Sequence, residues 1–290
     1  MRVRDVMTRE VFTVRSRQSL LDVREILEWR HIRHVPVVDD YGRLTGIISH
    51  RDLLNAAVTS IASISTKDQN NEYAHVLIGA VARAPTVSVG PDFSLADAAE
   101  LILRGKLGCL PVVDSGKLVG IVTESDFVAL AINFPDQRVV GDFMTTDLWT
   151  VDDRISMLLV KEVMNWARIR HVPYVDSGDK LLGMITHRDL VHASLSSLLR
   201  CGSAERDNFL EAIPIERVAK RDIEFIFQST SIQDAAKKMS HYKIGALPVV
   251  AGERLVGIVT EADMVRCVAE RSFGVRRLVT SEQPQNLFAS

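Results

Sequence analysis

Apolar positions along the chain alternate between two periods, and the alternation recurs. Leu20, Val23, Ile26 and Leu27 return at helical spacing. A Ser-x-x-Asp box precedes that run and two of its counterparts: Ser19/Asp22, Ser94/Asp97 and Ser231/Asp234. The hydroxyl caps free helix N–H groups and the acid suits the positive end of the helix dipole. A third counterpart has Ser156 but Leu159, so its box is incomplete. Two β-branched runs follow, VPVV at 35–38 and LTGIIS at 44–49. They are joined by DDYGR, and in the other copies by DSGK, DSGDK or AGER, which is hairpin chemistry. A second helix is predicted from about 51 to 63. The stretches FTV at 12–14 and WTV at 149–151 predict a short leading strand. Each unit reads β-α-β-β-α over about 60 residues, too small to cover both faces of its sheet, so the units should pair.

Four copies of the core pattern are present: 34–52, 109–126, 171–189 and 246–263. The interval from Pro36 to Pro173 equals that from Pro111 to Pro248. Asp52 to Asp189 and Asp126 to Asp263 repeat it. Residues 29–54 match 166–191 at 15 of 26 positions, and 106–126 match 243–263 at 14 of 21. Odd copies thus resemble odd copies and even resemble even, so a two-repeat unit was duplicated whole. The expected organisation is one module over 1–137 (repeats 1–66 and 75–134) and a second over 138–275 (repeats 138–200 and 212–272). A tail follows at 276–290. Odd copies carry one extra residue, and it falls in the hairpin turn, where insertions are tolerated.

Composition changes this picture little. Of 290 residues, 47% are hydrophobic and 25% charged, an ordinary globular balance. A formal charge of −2 gives no reason to expect nucleic acid or an anionic membrane as partner. Cys109, Cys201 and Cys267 are an odd, widely spaced set, which argues against disulfides and zinc. With no apolar run of membrane length and no apolar leader in MRVRDVMTRE, the expected location is cytoplasmic.

The motif Pro-h-V, turn, Gly-h-h-Ser/Thr-x-x-Asp resembles the CBS domain, named for cystathionine β-synthase. That domain also occurs in IMP dehydrogenase, chloride channels and the γ subunit of AMP-activated protein kinase. The resemblance spans nearly the whole chain. It implies an α/β (α+β) fold in which two repeats pair into a Bateman module and two modules pack with pseudo-twofold symmetry. It also implies clefts for adenosyl ligands: AMP, ADP or ATP, with S-adenosylmethionine, NAD or a dinucleotide as alternatives, and no obligatory cofactor or metal.

By the family pattern the ribose pairs are Ser49/Asp52, Thr123/Asp126, Thr186/Asp189 and Thr260/Asp263. A carboxylate can accept both hydrogen bonds of a ribose diol, and free helix N–H groups can take phosphate oxygens. The same residues also make an ordinary N-cap with an acid in the first turn. Phosphate contacts are expected from Arg33, His34, Arg170 and His171 before the prolines, and from His50, Arg51, His187 and Arg188 after the Ser/Thr. A salt-bridged rim with Asp39, Asp40 or Asp176 as partners is the alternative. Even repeats place Gly108-Cys109, Gly245-Ala246, Glu124 and Glu261 at these positions, so odd clefts are expected to favour charged nucleotides. Trp29 and Trp166 are expected to pack in the core or at the module interface, with base stacking as the alternative; Phe12 and Trp149 are expected in the core. The sequence after Met264 reads as the last helix and a tail.

His50-Arg51-Asp52 makes no ligand set or triad, and neither H-E-x-x-H nor G-x-S-x-G occurs, so no catalysis is expected. The reading is a non-catalytic sensor of adenine nucleotides that reports energy or metabolite state. The repeats fill the chain, so its output is expected through a protein partner or self-association, a homodimer included. The rival reading is a constitutive structural adaptor with vestigial clefts.

Overall fold

The computed structural model describes residues 1–30, 32–53, 76–84, 86–133, 137–198 and 213–273. The class is α+β: four repeats, each built on an antiparallel hairpin with helices beside it. The first holds α1 (Leu20–Trp29), β1 (His34–Val38) and β2 (Leu44–Ser49), with residues 50–53 helical. The second holds α2 (Leu95–Gly105), β3 (Cys109–Asp114), β4 (Lys117–Thr123) and α3 (Glu124–Ile132). The third holds α4 (Met157–Trp166), β5 (His171–Val175), β6 (Leu181–Thr186) and α5 (His187–Leu198). The fourth holds β7 (Ile226–Phe227), α6 (Ile232–Tyr242), β8 (Ala246–Ala251), β9 (Arg254–Thr260) and α7 (Glu261–Phe273). The remainder of the 51–63 helix, the 276–290 tail and Cys201 lie outside the described residues.

Each hairpin carries an irregularity at the same place, Val37/Val38, Val112/Val113, Tyr174/Val175 and Val249/Val250. The extra odd-repeat residue sits in the turn. There the Asp39 carboxylate accepts from the N–H groups of Tyr41 and Arg43, at 2.9 Å each. The shorter even turn puts Ser115 and Gly116 at φ 49° and 81°, as a tight hairpin turn requires.

The leading strand is shorter than the sequence suggests. Val14 and Val151 make single bridges, to Val37 and Tyr174, and only β7 reaches two residues. Phe12 and Trp149 lie ahead of these bridges and are exposed rather than buried in the core. Trp29 and Trp166, at the ends of α1 and α4, are also exposed, at 76% and 60%. These rings make surface contacts instead. Arg30 lies 4.4 Å above the Phe12 ring and 4.5 Å above the Trp29 ring, while Trp149 and Trp166 meet edge to face.

Three of the four Ser side chains cap their helices. Ser19 and Asp22 form a reciprocal box, and Ser156 and Ser231 accept from the Leu159 and Asp234 N–H groups. Ser94 makes no capping bond through its side chain. The Leu95 N–H at the start of α2 donates to the Met1 carbonyl at 3.2 Å, just as the Leu20 N–H of α1 donates to the Val76 carbonyl at 3.0 Å.

The amino-terminal segment belongs to a swap that pairs the repeats. Thr8 bridges Ile121 of β4, and Arg83, near the start of the second repeat, bridges Ile47 of β2. The second module makes both contacts again at the duplicated positions, as Thr145 with Ile258 and Lys220 with Met184. This common shift is the pseudo-twofold relation between modules. The glycine of each motif makes room for the swap. A Cβ at Gly46 would lie 3.1 Å from the Arg83 carbonyl oxygen, and one at Gly120 would lie 2.6 Å from Met7 Sδ.

The modules meet through their even repeats. α2, α3, α6 and α7 bury Leu95, Ile102, Phe127, Ile232, Met264 and Val268 in one continuous core. The odd repeats keep separate cores, around Leu27 and Ile48 in the first and around Met164, Tyr174 and Ile185 in the third.

Candidate functional site

At each of the four strand-to-helix junctions the Ser/Thr and Asp close on one another. Asp52 Oδ2 accepts from the Ser49 N–H at 2.8 Å and the Ser49 hydroxyl at 2.6 Å. Asp126 accepts from the Thr123 N–H and hydroxyl at 2.7 and 2.9 Å. Asp263 does the same with Thr260, at 2.8 Å for both. Asp189 accepts from the Thr186 N–H at 2.8 Å and from its hydroxyl. The N-cap geometry is therefore real, and it uses one oxygen of each carboxylate.

The other oxygen meets a cation at three of the junctions. Asp52 Oδ1 lies 2.8 Å from Arg83 Nε, and Asp189 Oδ1 lies 3.2 Å from Lys220 Nζ. Arg83 and Lys220 come from the swapped segment of the neighbouring repeat and occupy equivalent positions in the two modules. Asp263 Oδ1 pairs with Arg266 on its own helix at 3.0 Å. Burial pushes the Asp126 and Asp263 carboxyls above the usual range. The sequence reading missed Arg83 and Lys220. Their matched offset marks them as a pair, but nothing local links either to an aspartate so far back along the chain.

The basic residues of the odd repeats do not stay at their own junctions. Arg33 donates to Glu261 through both terminal nitrogens and, at 3.0 Å, to Ser125 Oγ. Its twin Arg170 donates to Glu124. The pairs are reciprocal: the first repeat reaches the fourth, and the third reaches the second. Glu124 and Glu261 are almost fully buried, at 4% and 5% exposure. Burial alone would raise the Glu261 carboxyl, but Arg33 and then Arg170 hold it below its ordinary range. Glu261 in turn raises the Arg33 guanidinium against the opposing effect of burial.

Two expectations are corrected here. Asp39 and Asp40 pair with Arg43 and Arg15, and Asp176 accepts from the Gly178 and Lys180 N–H groups in its own turn, while Arg33 and Arg170 pair with Glu261 and Glu124. Glu124 and Glu261 are neutralised by arginine, and that arginine stands at the even junctions. Charge therefore does not separate odd from even clefts in the way single-repeat sequence suggests.

Small residues make this convergence fit. A Cβ at Gly108 would overlap the His34 ring and lie 3.3 Å from Arg170 Nη1. A Cβ at Gly245 would lie 3.0 Å from Arg33 Nη1 and 3.2 Å from His171 Cε1. Two matched groups result: Arg170, His34, Gly108 and Glu124 in one, and Arg33, His171, Gly245 and Glu261 in the other. The glycines read as neutral in sequence because their neighbours come from other repeats.

The histidines are held neutral. Burial and then Arg33 and Arg170 push His34 well below its ordinary value. Burial and then Arg170 push His171 to about 3. His187 is pushed to about 3 by burial and then Arg51, and His50 to about 4 by burial and then Arg188. His50 Nε2 and His187 Nε2 are buried without a hydrogen-bond partner. Arg51 is itself lowered by burial and then Arg170. All sixteen candidate residues thus lie at the four junctions or in the polar centre joining them. The described residues include no cluster of three His, Cys, Asp or Glu able to hold a metal, and no helix long and apolar enough to cross a membrane.

The comparisons with known proteins agree with this architecture. A family model described as the CBS domain matches residues 3–59, 78–133, 140–196 and 215–270. A 33.4 kDa protein from a ribosomal RNA operon of Thermofilum pendens is 28% identical over 261 residues, 87% of this chain and 86% of its own. The crystal structure of protein MJ1225 from Methanocaldococcus jannaschii, described as a proposed archaeal homologue of γ-AMPK, superposes with a TM-score of 0.81 at 21% identity. It covers 92% of this chain and 99% of its own. A Pyrococcus horikoshii protein superposes with a TM-score of 0.62 at 23% identity, covering 92% of this chain and all of its own. At these identities the two structures speak for the fold alone.

Proposed function

The chain belongs to the CBS-domain family, and we propose that it is a non-catalytic sensor that binds adenosyl ligands at its strand-to-helix junctions and passes their occupancy to a protein partner or to its own assembly. The observation that carries this reading is the set of four aspartates, each fixed by its own Ser/Thr N–H and hydroxyl. A carboxylate held this way is fixed at the junction where a ribose diol would donate to it, and at three junctions a diol would share it with Arg83, Lys220 or Arg266. Cations already stand beside it. Arg83 and Lys220 border the odd junctions, while Arg33 and Arg170 reach the even ones. Phosphoryl groups would find charge-assisted donors there, which neutral donors do not match in strength.

Burial of His50 Nε2 and His187 Nε2 without partners also supports a ligand, because a buried acceptor gains from a donor. The pairing of Arg33 and Arg170 with glutamates favours the second reading, a constitutive adaptor whose site is already satisfied from within. Mass spectrometry of small molecules released from the purified protein separates the two. An adenosyl compound at near-stoichiometric amount supports the sensor. Protein that carries none, and whose melting is unmoved by AMP, ADP, ATP, S-adenosylmethionine or NAD, supports the adaptor.

A further inference from the structure

A carboxylate occupies the guanidinium fork of Arg33, and one oxygen of another engages a terminal nitrogen of Arg170, in the two matched groups at the centre. Arg33 is engaged at both terminal nitrogens by the Glu261 carboxylate, with Ser125 Oγ bridging to the same carboxylate at 2.9 Å. Glu124 holds Arg170 in the twin group. A phosphoryl group takes the same terminal N–H donors that hold these carboxylates, so the two anions compete for them. Each pair also crosses between modules, and outside the shared even-repeat core these are the buried charge pairs that join them among the described residues.

We infer that Glu124 and Glu261 determine ligand charge selectivity: a phosphoryl group engages Arg170 or Arg33 in competition with the resident carboxylate, and displacement of that carboxylate opens the clasp between modules. The inference rests on the reading that these arginines face the phosphoryl part of the ligand. It divides adenosyl ligands into two classes. Uncharged ones bind at the aspartates and leave the clasp closed. Phosphorylated ones bind with their affinity reduced by the carboxylate they expel, and they loosen the modules. The device has the two states that transmission requires, with one class of ligand preferring the open one.

The test uses the full chain and tripolyphosphate, which lacks the nucleoside. Calorimetry at low ionic strength compares the wild type with Glu124→Gln/Glu261→Gln. A control, Glu100→Gln/Glu253→Gln, removes the same charge at exposed ion pairs with Arg104 and Lys180. The clasp variant is expected to bind tripolyphosphate about tenfold more tightly than the wild type, and the control within about twofold of it. Equal affinity of clasp variant and wild type, or an equal gain in the control, would overturn the inference. Should the double variant fail to fold, Glu124→Gln and Glu261→Gln alone each leave one clasp intact, and each must show the gain at one site. Adenosine, titrated in parallel, reads the ribose site separately. If adenosine binds none of these proteins while the tripolyphosphate gain is present, the adenosyl reading falls and the clasp stands. If adenosine binds and the gain is absent, the reverse holds.

Discussion

Adding one methyl group at Gly183 should weaken the second module far more than the same change at its twin, Gly46. A Cβ on Gly183 would overlap the Lys220 carbonyl oxygen and lie 3.2 Å from its carbon and 3.5 Å from Arg221 Cα. These atoms are backbone, so no rotamer relieves the overlap. The segment must move, and it is held to Met184 by hydrogen bonds of 2.9 and 3.0 Å. Losing two such bonds costs about 1–3 kcal/mol, and keeping them with the overlap costs a similar amount in overpacking. At about 2–4 °C per kcal/mol, the melting temperature of Gly183→Ala should fall by roughly 2–12 °C. At Gly46 the Arg83 oxygen is 3.1 Å away and Ala82 Cβ 3.3 Å, a crowding that a shift of tenths of an ångström relieves. Gly46→Ala should cost less than about 1 kcal/mol. Gly178→Ala, which meets only Asp176 Oδ1 at 3.4 Å, serves as control. Differential scanning calorimetry reads all three. A Gly183→Ala protein melting as the wild type does would refute the view that the motif glycine exists for the swapped segment.

Three further outcomes follow from the buried titratable groups. Burial raises the Asp126 carboxyl, so stability is lost as the pH rises past the ordinary carboxyl value, and the loss is complete above the raised folded value. Asp126→Asn keeps an acceptor for Thr123 and should raise melting at neutral pH relative to the wild type, with the gain vanishing in acid; an unchanged melting temperature at neutral pH counts against it. His50, pushed from 6.5 to about 4, contributes about 3 kcal/mol that is complete above pH 6.5 and lost as the pH falls toward 4. His187 acts in the same sense, so melting of His50→Gln/His187→Gln should depend less on pH across that window; an unaltered slope would show the histidines titrate normally. Cys109, pushed up to about 12 by burial and then Glu124, should resist alkylation in mild base until the protein unfolds, as timed thiol labelling would read.

Much of this was legible locally. The Ser-x-x-Asp boxes, the hairpins with their odd-repeat insertion and the Ser/Thr–Asp junctions are governed by residues within a few positions, and their periodicity states them directly. The constant offset between like repeats also carried the pseudo-twofold relation, because duplication leaves its mark along the whole unit. What escaped was set by contacts across repeats. Arg33 finds Glu261 on another module, and Asp52 finds Arg83 on a swapped segment; no local rule distinguishes these partners from the nearby Asp39 and Asp40. Phe12, Trp29, Trp149 and Trp166 read as core on hydrophobicity, yet they end or precede elements at the edge, where the short bridges at Val14 and Val151 leave them exposed.

The most direct test of the central claim is calorimetric titration of AMP into the wild type and into a variant carrying Asp52→Asn, Asp126→Asn, Asp189→Asn and Asp263→Asn together. Asparagine keeps an acceptor for each Ser/Thr N–H and hydroxyl but gives up the ion pairs with Arg83, Lys220 and Arg266, so a melting scan first establishes that the variant is folded, and the titration then reads the loss of the carboxylates that would receive the ribose. The account predicts saturable binding by the wild type and a loss of at least about tenfold in the variant, or about 1.4 kcal/mol. A variant that binds AMP as tightly as the wild type, or a wild type that gives no heat with AMP, ATP, adenosine or S-adenosylmethionine, would contradict it.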